Sequence, residues 1–240
     1  MSSSPFPLPR EASRKAIIRE AIVKAAIGVA DAEGLEAVSM RRVAKELEIG
    51  TMTLYSYVHS KDELLDVMSD EVMGEQLFEG EVPADWRKAL SEIAHRLRAT
   101  WLRHPWVVNT LGRRPAIGPN SVKHFDESAA AVASLDIDAK TAFAIVAAID
   151  EYAMGFAYRE LSASEFRRNA GMSMDEWREV AEPYLRDLVD TGAYPHVQRF
   201  LDSDEPVAVE DPDRFETGLR WLLDGIEASL PRSRKWRRRA

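Results

Sequence analysis

Apolar residues in this chain recur three and four positions apart in one segment after another, and no stretch alternates apolar with polar at period two. Spacing of that kind places the apolar side chains on one face of a helix, whereas strands need every second residue on a common face. The chain is therefore expected to be all-α. From Ser13, the stripe Ile17, Ile18, Ala21, Ile22, Ala25 and Val29 predicts a helix that Gly34 stops. Ser39 can cap a second helix carrying Met40, Val43, Ala44 and Leu47. Glu48-Ile49-Gly50 interrupts it, and a short helix follows from Thr51 to about Tyr57. Ser60-Lys61-Asp62-Glu63 has the form of a capping box opening a fourth helix, with Leu64, Leu65, Val67, Met68 and Val72 apolar.

The helical pattern continues beyond Glu79-Gly80. Asp85 can cap a helix through Leu90, Ile93, Leu97 and Trp101, and breaks follow at His104-Pro105 and from Gly112 to Pro119. Helices are predicted near 121–135 and 138–161, then from a second capping box, Ser173 to Glu176, to about Asp190. Asp202 to Pro206 reads as an acidic loop. Asp211-Pro212 places a cap and a first-turn proline before a last helix ending near Leu230.

Composition narrows what such a bundle can do. With 240 residues, 45% hydrophobic, the chain can bury a sizeable core in one or two domains. It has no cysteine, which excludes disulfides, thiolate nucleophiles and zinc–sulfur sites and suits a reducing, cytoplasmic setting. The start, MSSSPFPLPR, lacks the pattern of a signal peptide and reads as a flexible arm over residues 1–10. The most apolar stretch, Thr141 to Ile149, is too short to span a bilayer. No glycine-rich phosphate loop or nucleophile elbow is present, and the histidines (His59, His95, His104, His124, His196) show no metal-ligand spacing. No catalytic residue, metal or cofactor is expected.

The net charge of −8 hides an asymmetry. Residues 1–61 carry nine Lys/Arg against seven Asp/Glu, residues 62–231 carry 17 against 33, and the last nine residues carry six and no acid. A mildly basic head on an acidic body suits a protein that meets phosphate only through its head. The basic tail, 231–240, could touch DNA or acidic lipid, or form a solvated end.

The segment Ser39 to Lys61 has the layout of a helix-turn-helix, in which the second helix enters the major groove and the first braces it. Small Ala44 lets the two helices approach, and Val43, Leu47, Ile49 and Leu54 supply their common core. Ser39, which caps the first helix, is expected to meet DNA together with Arg41, Thr51, Met52 and Thr53 at the leading end. Arginine can bond guanine bidentately, and threonine or methionine methyl groups can meet the thymine methyl. Tyr55, Tyr57 and Lys61 fall where phosphates would pass.

The runs Gly34 to Leu47, Thr53-Leu54-Tyr55-Ser56-Tyr57-Val58 and Lys61 to Leu65 closely resemble the DNA-binding domain of the tetracycline-repressor (TetR) family. One departure is Glu48, where members usually carry glycine, and Gly50 is expected to relieve the turn in its place. Phe215 to Glu227 resembles the last helix of the tetracycline repressors themselves, Thr110 to Pro115 their loop after the sixth helix, and Gly155 a glycine of their eighth. The resemblance implies a bacterial regulator with a helix-turn-helix domain over 1–66 and a ligand-binding and dimerisation domain over 67–240. It implies a homodimer, joined through the helices near 138–161 and 211–230, that binds a palindromic double-stranded DNA operator and is usually released by a small-molecule inducer. Leu219, Leu222, Leu223 and Ile226 form an apolar stripe suited to such pairing.

Tetracycline repressors hold a magnesium–drug chelate with a histidine and an acid, and the matching positions here are Thr110 and Arg159. A hydroxyl and a cation do not replace those groups, so a different inducer is expected. Trp101, Trp106, Asn109 and Phe125 gather around the predicted helix breaks, where a cavity could open. Phe143, Val146, Ala147, Asp150 and Met154 share one stripe of the long helix, so Asp150 could meet a cationic or hydroxylated ligand. Two other readings stay open: DNA binding controlled by a protein partner instead of a small molecule, and a helical enzyme resting on that cavity alone.

Overall fold

Eleven α-helices and one 3₁₀ turn make up the described residues of the computed structural model, 14–111, 117–203 and 211–230, and these contain no strand. The chain divides into two units, one comprising residues 1–157 and 223–240 and the other residues 158–222. Among the described residues no helix is long and apolar enough to cross a membrane. The arm 1–10, the segment 112–116, most of the acidic loop (204–210) and the basic tail lie outside the described residues, as does the Asn109 side chain.

The first unit opens with α1 (Arg14–Glu33), closed by Gly34 in a left-handed conformation (φ 86°) and a 3₁₀ turn, Leu35–Ala37. The stripe that α1 buries is Ile22, Val23, Ala26, Ile27 and Ala30, together with Val29, while Ile17 stays 66% exposed. This face lies further along and wider than the expected stripe because α1 packs against both α2 (Met40–Glu46) and α4 (Lys61–Gly74). α3 (Thr51–Tyr55) seats against α2 through fully buried Leu54 and Val43.

Four caps expected from the sequence are in place. Ser39 accepts the Arg42 N–H, Ser60 that of Glu63, Asp85 that of Lys88 and Ser173 that of Glu176. Only Ser173–Glu176 closes as a full box. At Ser60 the return bond is diverted. Glu63 takes its backbone N–H from His59 (2.8 Å) and an Arg19 guanidinium bond (2.8 Å) on its other oxygen, so the carboxylate ties the helix start to α1.

Helices α5 (Trp86–Arg103), α6 (Trp106–Leu111) and α7 (Pro119–Val132) complete the packing around α4. α8 (Ala139–Ala170) runs nine residues past the expected end at Leu161. Its tightly buried positions in the first unit are Ile145, Val146, Ile149, Ala153 and Ala157, spaced for one continuous face. At the end of the chain α11 (Arg214–Ser229) returns Leu223 and Ile226 to this unit, and Arg87 of α5 forms ion pairs with Asp224 and Glu227. α11 begins at Arg214, two residues past Pro212, because Asp211 and Pro212 form a turn in which the Asp211 carboxylate accepts the Asp213 N–H.

The second unit holds the end of α8, α9 (Met174–Val189), α10 (Pro195–Leu201) and the start of α11. α9 and α10 pack together, and Arg186 bonds Glu182 and the Leu201 carbonyl. Phe215 and Leu219 are buried on α11, whereas Trp221 is 68% exposed.

Candidate nucleic-acid interface and its links to the body

The α2–α3 hairpin buries one face completely and leaves the other bare. Val43, Leu54 and Val58 have no exposed surface, whereas Met52 at the start of α3 is 81% exposed. A methionine that open has no part in the core. Arg41, Thr53 and Lys61 are exposed with it, Tyr55 is 40% exposed, and Thr51 and Tyr57 are intermediate. Of the residues expected to meet base edges and phosphates, Arg41, Met52, Thr53, Tyr55 and Lys61 are exposed. Arg42 differs from its neighbour: Glu33 (2.6 Å) and Glu46 (2.7 Å) grip its guanidinium, pushing its pKa up and holding the Glu33 carboxyl low. Arg42 braces α2 against α1, and Arg41 is the arginine turned outward.

The turn between α2 and α3 departs from expectation. Glu48 itself takes the left-handed conformation (φ 54°), while Gly50 is extended (φ −69°, ψ 141°) and caps α3 with its backbone alone. Gly50 does not relieve the turn, because Ile49 N–H reaches back to the Ala44 carbonyl (3.0 Å) and the chain reverses one residue earlier. A side chain in that conformation costs roughly 1–2 kcal/mol, which glycine would avoid.

α4 is bonded to its surroundings at both ends and in the middle. Near its start Glu63 holds Arg19 of α1. In the middle Asp70, only 4% exposed, accepts Asn120 N–H (3.2 Å), Ser121 N–H (2.9 Å) and the Ser121 hydroxyl (2.8 Å). These are the first amides of α7, whose own N-cap, Gly118, has no side chain to offer. A carboxylate on one helix thus caps another, where the helix dipole also favours negative charge. Gly118 is required there for space, since any Cβ would overlap the Asp70 carboxyl group.

Beyond the end of α4, Glu75 meets His104, which is 4% exposed at the α5–α6 junction. His104 Nε2 lies 3.1 Å from Glu75 Oε2 and Nδ1 lies 2.8 Å from Asp31 Oδ1 of α1. Each ring nitrogen of His104 thus faces a carboxylate. Arg103 adds a bond to Glu75 (2.6 Å), and the Trp106 indole N–H donates to Asp31 (2.7 Å). Sequence reasoning found neither Asp70 nor His104, because their partners lie 50 and 73 residues away.

The expected ligand residues fall into separate groups. Trp106 is buried with its N–H committed to Asp31, which makes it part of the α1 junction. Trp101 is buried, but its N–H meets no protein acceptor. Phe125 and Phe143 contact each other (ring centroids 6.0 Å apart) and stay exposed. On α8 Val146 is buried, Ala147 and Met154 are half-buried, and Asp150 lies 3.5 Å from His124 of α7. Of the two positions matched to the magnesium chelate of the tetracycline repressors, Thr110 offers only a hydroxyl that is already engaged. The Thr110 hydroxyl donates to the Val107 carbonyl and lies 3.3 Å from Ser69 Oγ. Among the described residues no group of three His, Asp or Glu gathers to hold a metal.

Comparison with known proteins agrees with this architecture. Residues 22–68 match the family model described as bacterial regulatory proteins, tetR family, and residues 79–230 the tetracyclin repressor-like C-terminal domain. The HTH-type transcriptional repressor DrrR1 of Streptomyces coeruleorubidus is 35% identical, covering 94% of this chain and 83% of that protein. The tetracycline repressor protein class E of Escherichia coli is 26% identical over 87% of the chain and 90% of its own length. The crystal structure of the Streptomyces coelicolor TetR family protein ActR in complex with actinorhodin superposes with a TM-score of 0.74, at 28% identity, covering 88% of this chain and 96% of that one. The chain belongs to the tetR family and is a DNA-binding transcriptional regulator. Ser69, Asp70 and Glu75 all fall in the interval between the two family models.

Proposed function

We propose that this protein is a homodimeric repressor that reads a palindromic operator through α3 and leaves it when a small molecule binds the body. The observation that carries the DNA-reading part is the two-faced hairpin, with Val43 and Leu54 fully buried behind exposed Arg41, Met52 and Thr53. Ligand control is supported by the likeness to ActR, which was solved with actinorhodin bound. Dimerisation is supported by the second unit, which leaves Tyr158, Trp177, Val180, Tyr184, Phe200 and Trp221 exposed, more large apolar side chains than a monomer ordinarily shows to water.

α4 is the element through which the body acts on the head. Its Ser69 and Asp70 meet α6 and α7, and its Glu63 holds α1. A ligand that shifts α6 or α7 moves α4, and with it the spacing of the two heads in the dimer. That is a coupling between distinct sites, and it acts equally on DNA and ligand affinity.

Selection of bound duplexes from a random DNA pool tests the proposal. The expected product is a palindrome with half-sites one helical turn apart, about 34–36 Å. On that operator Arg41→Ala relaxes the preference at one base pair by about 1–3 kcal/mol, while Tyr55→Ala weakens all sequences alike. A pool without a palindrome, or variants without these effects in gel-shift titrations, refutes the reading.

A further inference from the structure

α7 buries a polar face. His124 and Ser128, one helical turn apart, are 7% and 1% exposed, and neither His124 Nε2 nor Ser128 Oγ has a hydrogen-bond partner in the protein. Across from them on α8, Asp150 brings Oδ2 to 3.5 Å from His124 Nε2, and its Oδ1 is likewise buried without a partner. α5, which packs on α7, contributes a fourth such atom in the indole N–H of Trp101. Buried polar atoms are nearly always paired, and each unpaired one lowers stability. Four of them on α5, α7 and α8 of one unit form a candidate recognition set. Leu97 and Val146, each one turn before Trp101 and Asp150, are buried and add apolar surface.

The chemistry of the set selects its occupant. Trp101 can only donate, a carboxylate can only accept, and Ser128 does either. The site asks for a carbonyl, ether or hydroxyl oxygen on the Trp101 side and a hydroxyl or amine hydrogen for Asp150. A ligand anion would meet the Asp150 carboxylate, whose Oδ1 is buried, and like charges repel. We infer that Trp101, His124, Ser128 and Asp150 recognise a neutral or cationic, apolar-bodied small molecule bearing a hydroxyl or amine near an oxygen acceptor, and that the site rejects anions. This rests on the ligand-released reading above and names the ligand chemistry of that site.

The full-length protein allows a test in two arms. In the first, melting is followed without ligand. Ser128→Ala removes an unpaired hydroxyl and raises Tm by roughly 2–4 °C, the shift expected of a modest stabilisation in a chain of this size. A fall in Tm shows that the hydroxyl is paired, by water or protein, and overturns the assignment. In the second, melting is followed with 1,8-dihydroxyanthraquinone, the same ring bearing an aminomethyl group, and the same ring bearing a sulfonate. The first two raise Tm, their ranking showing whether hydroxyl or ammonium is preferred, and the sulfonate does not. Asp150→Asn weakens the response at least tenfold in apparent affinity. No shift with any of the three, an equal shift with the sulfonate, or indifference to Asp150→Asn overturns the inference. Gel shifts of the same preparations separate the two claims. Intact operator binding with a failed ligand arm defeats this inference alone, whereas absent operator binding defeats the regulator reading.

Discussion

Glu48 and Glu71 are two carboxylates set at odds with their surroundings, one by backbone conformation and one by charge. Because Glu48 holds φ at 54°, Glu48→Gly is expected to stabilise the protein by about 1 kcal/mol and raise Tm by about 2–4 °C in calorimetry. Partial burial pushes the Glu71 carboxyl up from its ordinary value, and nearby Glu20, Asp70 and Glu75 add to the effect while Lys24 opposes it. An acid whose folded pKa is raised binds its proton more tightly when folded, so its contribution to stability is lost as pH rises through that pKa. Glu71→Gln should therefore raise Tm at pH 7, and the gain should vanish in acid, where wild-type Glu71 is already neutral. An equal gain at both ends of a pH series of melting curves would show that charge is not the cause. Neither position is conspicuous in sequence alone. Glu48 stands out only as a departure from a family habit, and the neighbours of Glu71 come together only on folding.

The elements were legible where local chemistry decides them. Ser39, Ser60, Asp85 and Ser173 announce their helices because a side-chain oxygen three residues before an amide is a local arrangement. The sequence pattern predicts no helix at α10, because Pro195–Leu201 is short and exposes nearly every side chain, leaving no apolar period. The apolar pattern of α8 stops near Leu161 because the residues after it are mostly polar, although the helix continues to Ala170. The cap on α7 could not be read, since its acceptor sits on another helix. Asp70→Ala leaves the Asn120 and Ser121 amides without their acceptor and is expected to cost about 2 kcal/mol in denaturant unfolding. A coupling role further requires the variant to keep operator binding while its response to ligand shrinks. A variant that loses stability but responds to ligand fully would restrict Asp70 to a structural role.

For the whole molecule, the charge pattern visible in the sequence and the exposed side chains of the α2–α3 hairpin point to the same end of the chain as the proposed DNA contact. Assembly is the property least visible in one chain, because an apolar face reads the same whether a neighbour or a second copy covers it. Trp221→Glu places a charge on the exposed apolar part of α11. It is expected to turn a dimer into a monomer in sedimentation equilibrium and to weaken operator binding at least a hundredfold, whereas an unchanged mass would move the contact elsewhere. The Asp70–Gly118 pairing also limits how regulators of this kind can be recombined. A chimaera that joins a foreign head to this body at the start of α4 would keep the carboxylate and the glycine it fits against. One that takes α4 from the donor would put an unmatched side chain against the start of α7. Swapped sensors should work when the splice falls before Lys61 and fail when it falls after Gly74, and residues 70 and 118 should change together among relatives.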